Sequence, residues 1–328
     1  MKKVLLCGLL IVLTVTAAFG GATEDLLYAV WDESTTSERI IALIRAGADM
    51  NARTLHGWTP LMIAAKNRNL VIIKTLINAG ADVNVQNERG WNALMMALAT
   101  DPDTNYDINS EISEIVKLLL EAGVNVNART ESGMTALMLG IIHNNSPDVI
   151  KMLLKAGAYV NAKNANGETA LMMMGLYDKL EIIKILLYYG ADVNIQDNEG
   201  KTALMRATFI NEDPQAMKLL LKASADINIK DKNGYTALMS ATVLNNNSEI
   251  ARELLKAGAN INARNKIGTT ALMQAAEFNN NPEVIKVLLD YGADINAKDN
   301  NGMTALMYAA KYNKNPEVMR TLILAGGK

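Results

Sequence analysis

Thiol chemistry has almost no foothold in this chain, because one residue in 328, Cys7, is a cysteine. A lone cysteine closes no disulfide within the chain, and Leu5 and Leu6 before it are not the small residues that lipid attachment requires. Histidine is nearly as scarce, with only His56 and His143, far apart in sequence. The sequence also lacks a glycine-rich phosphate loop, a nucleophile elbow and a zinc-ligand spacing, so neither an enzyme nor a cofactor is expected. Basic runs are missing too: 32 Lys and Arg stand against 34 Asp and Glu, giving a formal charge of -2. Proteins that neutralise phosphates carry a clustered positive face, so nucleic acid is not an expected partner.

Long apolar runs are absent save one, from Val4 to Phe19, which follows Lys2 and Lys3 and precedes Gly20, Gly21 and Ala22. A charged start, an apolar middle and small residues at the end form the pattern of a secretory signal peptide, taken as residues 1–22, with cleavage after Gly20 or Ala22. The alternative is an uncleaved anchor, since the run is almost long enough to span a bilayer. Removal of the peptide takes Cys7 with it, which suits an oxidising compartment. The expectation is an exported bacterial protein, periplasmic or secreted, with no membrane segment after cleavage.

What the chain has in abundance is one phrase, Gly-x-Thr-Ala-Leu-Met, complete at Gly133 to Met138. Its glycines, Gly57, Gly90, Gly133, Gly167, Gly200, Gly234, Gly268 and Gly302, are spaced by 33, 43, 34, 33, 34, 34 and 34 residues. A period of 33 with a Thr-Pro-Leu-His-x-Ala motif marks ankyrin repeats. Thr59-Pro60-Leu61-Met62 and its seven registered copies closely resemble that motif over residues 23 to 328. The resemblance implies an all-α ankyrin-repeat solenoid of stacked antiparallel helix pairs with short hairpin or turn fingers. One domain, residues 23–328, is expected, with a partial N-terminal unit and then eight repeats.

Each repeat has the same internal logic. The glycine sits in a turn, and the threonine two places on caps a short first helix built on small residues such as Ala64 and Ala65. Ser146-Pro147, Asp213-Pro214, Asn281-Pro282 and Asn315-Pro316 read as a cap followed by proline at the first helical position. The second helix carries an apolar stripe, such as Val284, Ile285, Val287, Leu288 and Leu289, and ends at a glycine such as Gly292. Next comes an asparagine in register, Asn51, Asn84, Asn127, Asn161, Asn194, Asn228, Asn262 or Asn296, placed to bond its own backbone and tighten the finger. Thr23 is placed to cap the first helix of the partial unit.

Two departures from the family pattern stand out. Methionine replaces the histidine that joins ankyrin repeats through a polar network, so packing is expected to join these repeats. Ser224 stands where other helices end in glycine, in a left-handed turn that costs more for a side chain. A copper(I) reading of the methionines fails on spacing, because one position repeated in every unit is a core ladder.

The 43-residue interval marks an insertion of about nine residues between two helices, within Ala99 to Ser110, as judged against the ankyrin period. Asp101, Asp103, Asn105 and Asp107 alternate there like the opening of a calcium loop, making them a metal candidate. Tyr106 in place of the loop glycine and Ile112 in place of its final glutamate argue for a solvated loop instead.

Binding is the better-supported function. Within the fixed frame, the residue after each glycine varies: Trp58, Trp91, Met134, Glu168, Lys201, Tyr235, Thr269, Met303. Late in the first helix Lys66, Ala99, Ile142, Leu176, Phe209, Val243, Glu277 and Lys311 vary likewise. Trp58, Trp91, Met134, Ile142, Glu168, Lys201, Phe209 and Tyr235 are therefore the candidate partner-binding residues, with the aromatics as anchors. Trp58 and Trp91 have a competing role in packing against the neighbouring finger. The ankyrin resemblance implies a concave face lined by fingers and first helices and a monomeric, non-catalytic scaffold for a protein partner. A secreted effector acting on another cell and a calcium-dependent binder are the alternatives.

Overall fold

The computed structural model describes residues 21–328 except 33, 100–107, 145, 175–179, 211–213, 245 and 246. The eighteen α-helices and absence of strands among the described residues establish an all-α repeat solenoid of stacked helix pairs. Contacts group the chain into two units, one up to Val160 and one from Asn161 onward.

In the first unit a partial pair, α1 (Ala22–Trp31) and α2 (Ser37–Arg45), precedes three repeats. These are α3 (Pro60–Lys66) with α4 (Leu70–Asn78), α5 (Ala93–Leu98) with α6 (Ile108–Glu121), and α7 (Ala136–Leu139) with α8 (Pro147–Lys155). The second unit pairs α9 (Ala170–Met173) with α10 (Leu180–Tyr188), α11 (Ala203–Ile210) with α12 (Gln215–Lys222), and α13 (Ala237–Leu244) with α14 (Ser248–Lys256). It closes with α15 (Ala271–Phe278) and α16 (Pro282–Asp290), then α17 (Ala305–Tyr312) and α18 (Pro316–Leu324).

The first helices start where their caps put them. In all eight repeats Thr59, Asn92, Thr135, Thr169, Thr202, Thr236, Thr270 or Thr304 accepts the N–H of the methionine three residues on. Such a cap stabilises a helix by about 1 kcal/mol, which matters for helices this short. The capped methionines run through the core: Met62, Met95, Met138, Met172, Met205, Met239 and Met273 are at most 3% exposed, and Met307 in the last described repeat is 47% exposed. Burying one such side chain is worth about 1.5–3 kcal/mol, so each buried methionine contributes substantially to the core of its repeat.

Four expectations need correction. The helix after Asp213-Pro214 begins at Gln215, and Pro214 itself holds the cap position. Thr23 lies inside α1, behind Gly21, and its hydroxyl accepts the Asp49 N–H at 3.0 Å instead of capping the helix. Part of the insertion is helix: α6 has 14 residues where α4 has 9. Burial of Ile112, Ile115, Val116 and Leu119 along α6 accounts for its stability.

The fourth concerns the asparagines. Their amides bond the neighbouring repeat, while in all but Asn161 an Asp or Asn two positions earlier accepts the local N–H, as Asp82 does from Asn84 at 2.8 Å. Repeats are thus joined by hydrogen bonds as well as packing. Ser224 does adopt the left-handed conformation, with φ 65°.

Candidate functional site

The fingers are tight turns set by one side chain each. In the second repeat Asn87, buried, accepts the N–H groups of Arg89 at 3.0 Å and Trp91 at 2.9 Å, and its own N–H donates to the Trp91 carbonyl. Asp197 does the same for Glu199 and Lys201, and Asp231 for Asn233 and Tyr235. Neighbouring tips are tied backbone to backbone, as where the Glu131 N–H reaches the Arg89 carbonyl at 3.0 Å and the Lys232 N–H reaches that of Glu199 at 2.8 Å. Each variable finger residue therefore projects from a braced turn.

In the first unit a groove of about 340 Å³ opens between these fingers and the ends of α3 and α5. Trp58 and Trp91 line it together with Lys66, Arg89, Met96 and Ala99, so the two finger tryptophans and two residues of the helix-end series are brought to one place. Trp58 also stacks on Trp31 of α1, with ring centroids 6.4 Å apart. Its competing packing role is real, but the partner in that contact is a helix of the partial unit rather than a finger. Across the groove His56 Nδ1 lies 3.9 Å from Glu88 Oε2, and with both side chains more than half exposed the pair contributes little.

The second unit has a larger groove of about 590 Å³. Lys201 and Tyr235 from the fingers line it, with Arg206, Ser240 and Gln274 from the first helices and Val243 and Phe278 further along. Phe278 is 49% exposed. Gln274, buried, donates through Nε2 to Thr269 Oγ1 at 3.0 Å.

Arg206 is the electrostatic centre of that groove's wall. Its Nη2 bonds Glu168 Oε1 and Asp197 Oδ2, each at 2.7 Å, with side-chain exposures of 21%, 19% and 3%. Burial alone would raise the Glu168 carboxyl, but bonds from Asn164 and Arg206 and the Arg206 charge outweigh it and hold the carboxyl below its usual range. Burial acts on Asp197 in the same way and is outweighed by Arg206 and the Lys201 and Glu199 amides. Arg206 Nε is buried with no partner among the described residues.

The candidate residues divide accordingly. Trp58 and Trp91 meet in one groove, and Lys201 and Tyr235 in the other. Glu168 is held by Arg206 and Asn164 within its own unit. Met134 is half-buried on a finger, and Ile142 is half-buried in the π-helical turn Gly140–Asn144 that follows α7; neither lines the first groove. Phe209 belongs to α11, and its side chain lies outside the described set. Asp101, Asp103, Asn105 and Asp107 lie outside the described residues. Among the described residues no group of three His, Cys, Asp or Glu side chains is placed to hold a metal ion. No described helix is long and apolar enough to cross a membrane.

One column went unread in the sequence, the residue directly after the repeated methionine. It runs Ile63, Met96, Leu139, Met173, Arg206, Ser240, Gln274, Tyr308, apolar in four repeats and polar in the next four. Three of the polar four reach back to the finger, Arg206 to Asp197, Gln274 to Thr269 and Tyr308 Oη to Asp299 Oδ2 at 2.8 Å, while Ser240 bonds the Thr236 carbonyl. Aligning the repeats and asking where polarity changes would have found it.

A family model for ankyrin repeats (3 copies) matches residues 26–109, 104–164, 142–231, 171–265, 205–299 and 243–328. A search of curated proteins gave no match. Overlapping matches from residue 26 to residue 328, over a stack of capped helix pairs with turn fingers, show that the chain belongs to the ankyrin repeat family.

Proposed function

We propose that this ankyrin repeat chain is a monomeric, non-catalytic scaffold that binds a protein partner outside the cytoplasm, through the grooves between its fingers and first helices. Ankyrin repeats imply a scaffold for protein interactions. One observation carries the finer reading: in each unit, residues that vary inside the repeated frame line a groove, while the frame residues are consumed by caps, core and inter-repeat bonds. Aromatic side chains on braced turns lose little freedom on binding, which is what interface anchors need.

The location rests on the sequence of residues 1–22, a charged start, an apolar run and small residues, and a bacterial periplasm is the compartment it fits best. The test is affinity capture from envelope extract of the source cell with the chain and with a Trp58→Ala, Trp91→Ala, Tyr235→Ala variant of equal helicity. A protein recovered by the first and lost from the second supports the reading. Recovery of the same set by both contradicts it.

A further inference from the structure

We infer that the groove of the first unit is a docking site for an acidic segment of a protein partner, one that carries a large apolar side chain beside its carboxylates. This deepens the proposed scaffold function and rests on it. Lys66 at the end of α3 and Arg89 at the finger tip are both exposed, both line the groove, and neither forms an ion pair among the described residues. The acid lining the groove, Glu88, lies instead by His56. Two permanent cations against the single Glu88 carboxylate leave the described lining of the groove net positive, which attracts carboxylates and opposes cationic segments by like-charge repulsion.

Preorganisation supports the same occupant. The Arg89 backbone is held on both sides, its N–H by Asn87 Oδ1 at 3.0 Å and its carbonyl by the Glu131 N–H at 3.0 Å. With the backbone fixed, only the Arg89 side chain remains to be ordered on binding, and its guanidinium offers a planar pair of donors that matches a carboxylate. Trp58, Trp91 and Met96 line the same groove and give it apolar surface for the side chain next to the acid. The groove of the second unit differs: Glu199 and Asp231 line it beside Lys201, and Arg206 is already engaged by two carboxylates. Its charges are mixed, so it selects against neither sign.

The experiment is selection of a displayed random ten-residue peptide library on the full chain, in parallel with a Lys66→Gln, Arg89→Gln variant. Both substitutions are on exposed side chains, and equal circular dichroism spectra confirm the variant's fold. Peptides enriched on the full chain and lost on the variant should carry net negative charge and at least one large apolar residue. A capped peptide from that pool should quench or shift tryptophan fluorescence, bind the variant about tenfold more weakly, and lose about tenfold in affinity between low and high salt. Enrichment of neutral or basic peptides, equal enrichment on both proteins, or tighter binding of a single-stranded oligonucleotide than of the peptide overturns the inference. If the cation variant selects normally while the aromatic variant loses the captured partner, the scaffold reading stands and this one falls.

Discussion

Asn84 grips the next repeat with both ends of its amide: Oδ1 accepts the Asn125 N–H at 2.6 Å and Nδ2 donates to the Gly123 carbonyl at 3.2 Å. Asn127 repeats the pair with Tyr159 and Gly157 in the first unit. In the second unit Asn161, Asn194, Asn228 and Asn262 each do the same. Removing one amide leaves a backbone N–H and a carbonyl without that partner, though water reaches both. Asn84→Ala should therefore lower stability by about 1 kcal/mol, and Asn84→Asp, which keeps an acceptor, by less. Urea unfolding followed by circular dichroism measures both, and an unchanged midpoint for Asn84→Ala contradicts the ladder's role.

Glycine is required at the finger for two separable reasons. Gly90 has φ 76°, and a Cβ there would sit 2.5 Å from the Arg129 carbonyl oxygen of the next finger, whereas Gly302 has φ 81° and open space around it. Gly302→Ala should cost only the left-handed backbone strain, about 1–2 kcal/mol. Gly90→Ala adds displacement of the neighbouring turn, so it should cost more in the same unfolding assay. Equal losses would show that the close approach is immaterial.

Ser224 holds φ 65° where the other second helices end in glycine. Its carbonyl still accepts Asn194 Nδ2, a backbone interaction that a glycine keeps. Ser224→Gly should therefore stabilise the chain by about 0.5–1 kcal/mol, the strain relieved less the added freedom of the unfolded glycine. A lower urea midpoint would contradict this.

Much of this fold was legible in the sequence because its determinants are local. The cap, the methionine three residues on and the glycine of the turn lie within one short phrase, and each behaves as local chemistry dictates. The asparagine and column residues were misread or unread because their partners lie elsewhere. Asn84 meets Asn125, and Arg206 meets Glu168 as well as Asp197. A turn propensity says nothing about such a partner, and a charge such as Glu168 looks available until the arginine that binds it is seen. The grooves were half legible: the variable series named Trp58, Trp91, Lys201 and Tyr235, and could not show which of them share a cavity.

The Arg206 cluster makes stability depend on pH. Glu168 and Asp197 have folded pKa values below their unfolded ones, so their contribution is full above the ordinary carboxylate range of about 4 and fades as pH falls through the lower folded values. Arg206→Gln leaves the half-buried Glu168 and the buried Asp197 without their cation and should cost about 2–3 kcal/mol at pH 7. As pH falls toward 4 those carboxylates take up protons more readily in the variant, and the gap to wild type should narrow. Thermal unfolding at pH 7, 5 and 4 reads this directly, and a gap that widens toward acid would contradict the assignment.

On the proposed function a partner protein lies in the grooves. A photo-cross-linking amino acid placed at Arg89, or at Tyr235, tests it against the same group at Tyr188, which is 85% exposed at the end of a second helix. Irradiated in source cells, the groove positions should yield the same discrete adduct with a second protein, and the Tyr188 position none. Adducts at Tyr188 alone, or at none of the three while the chain is present and folded, would contradict the account.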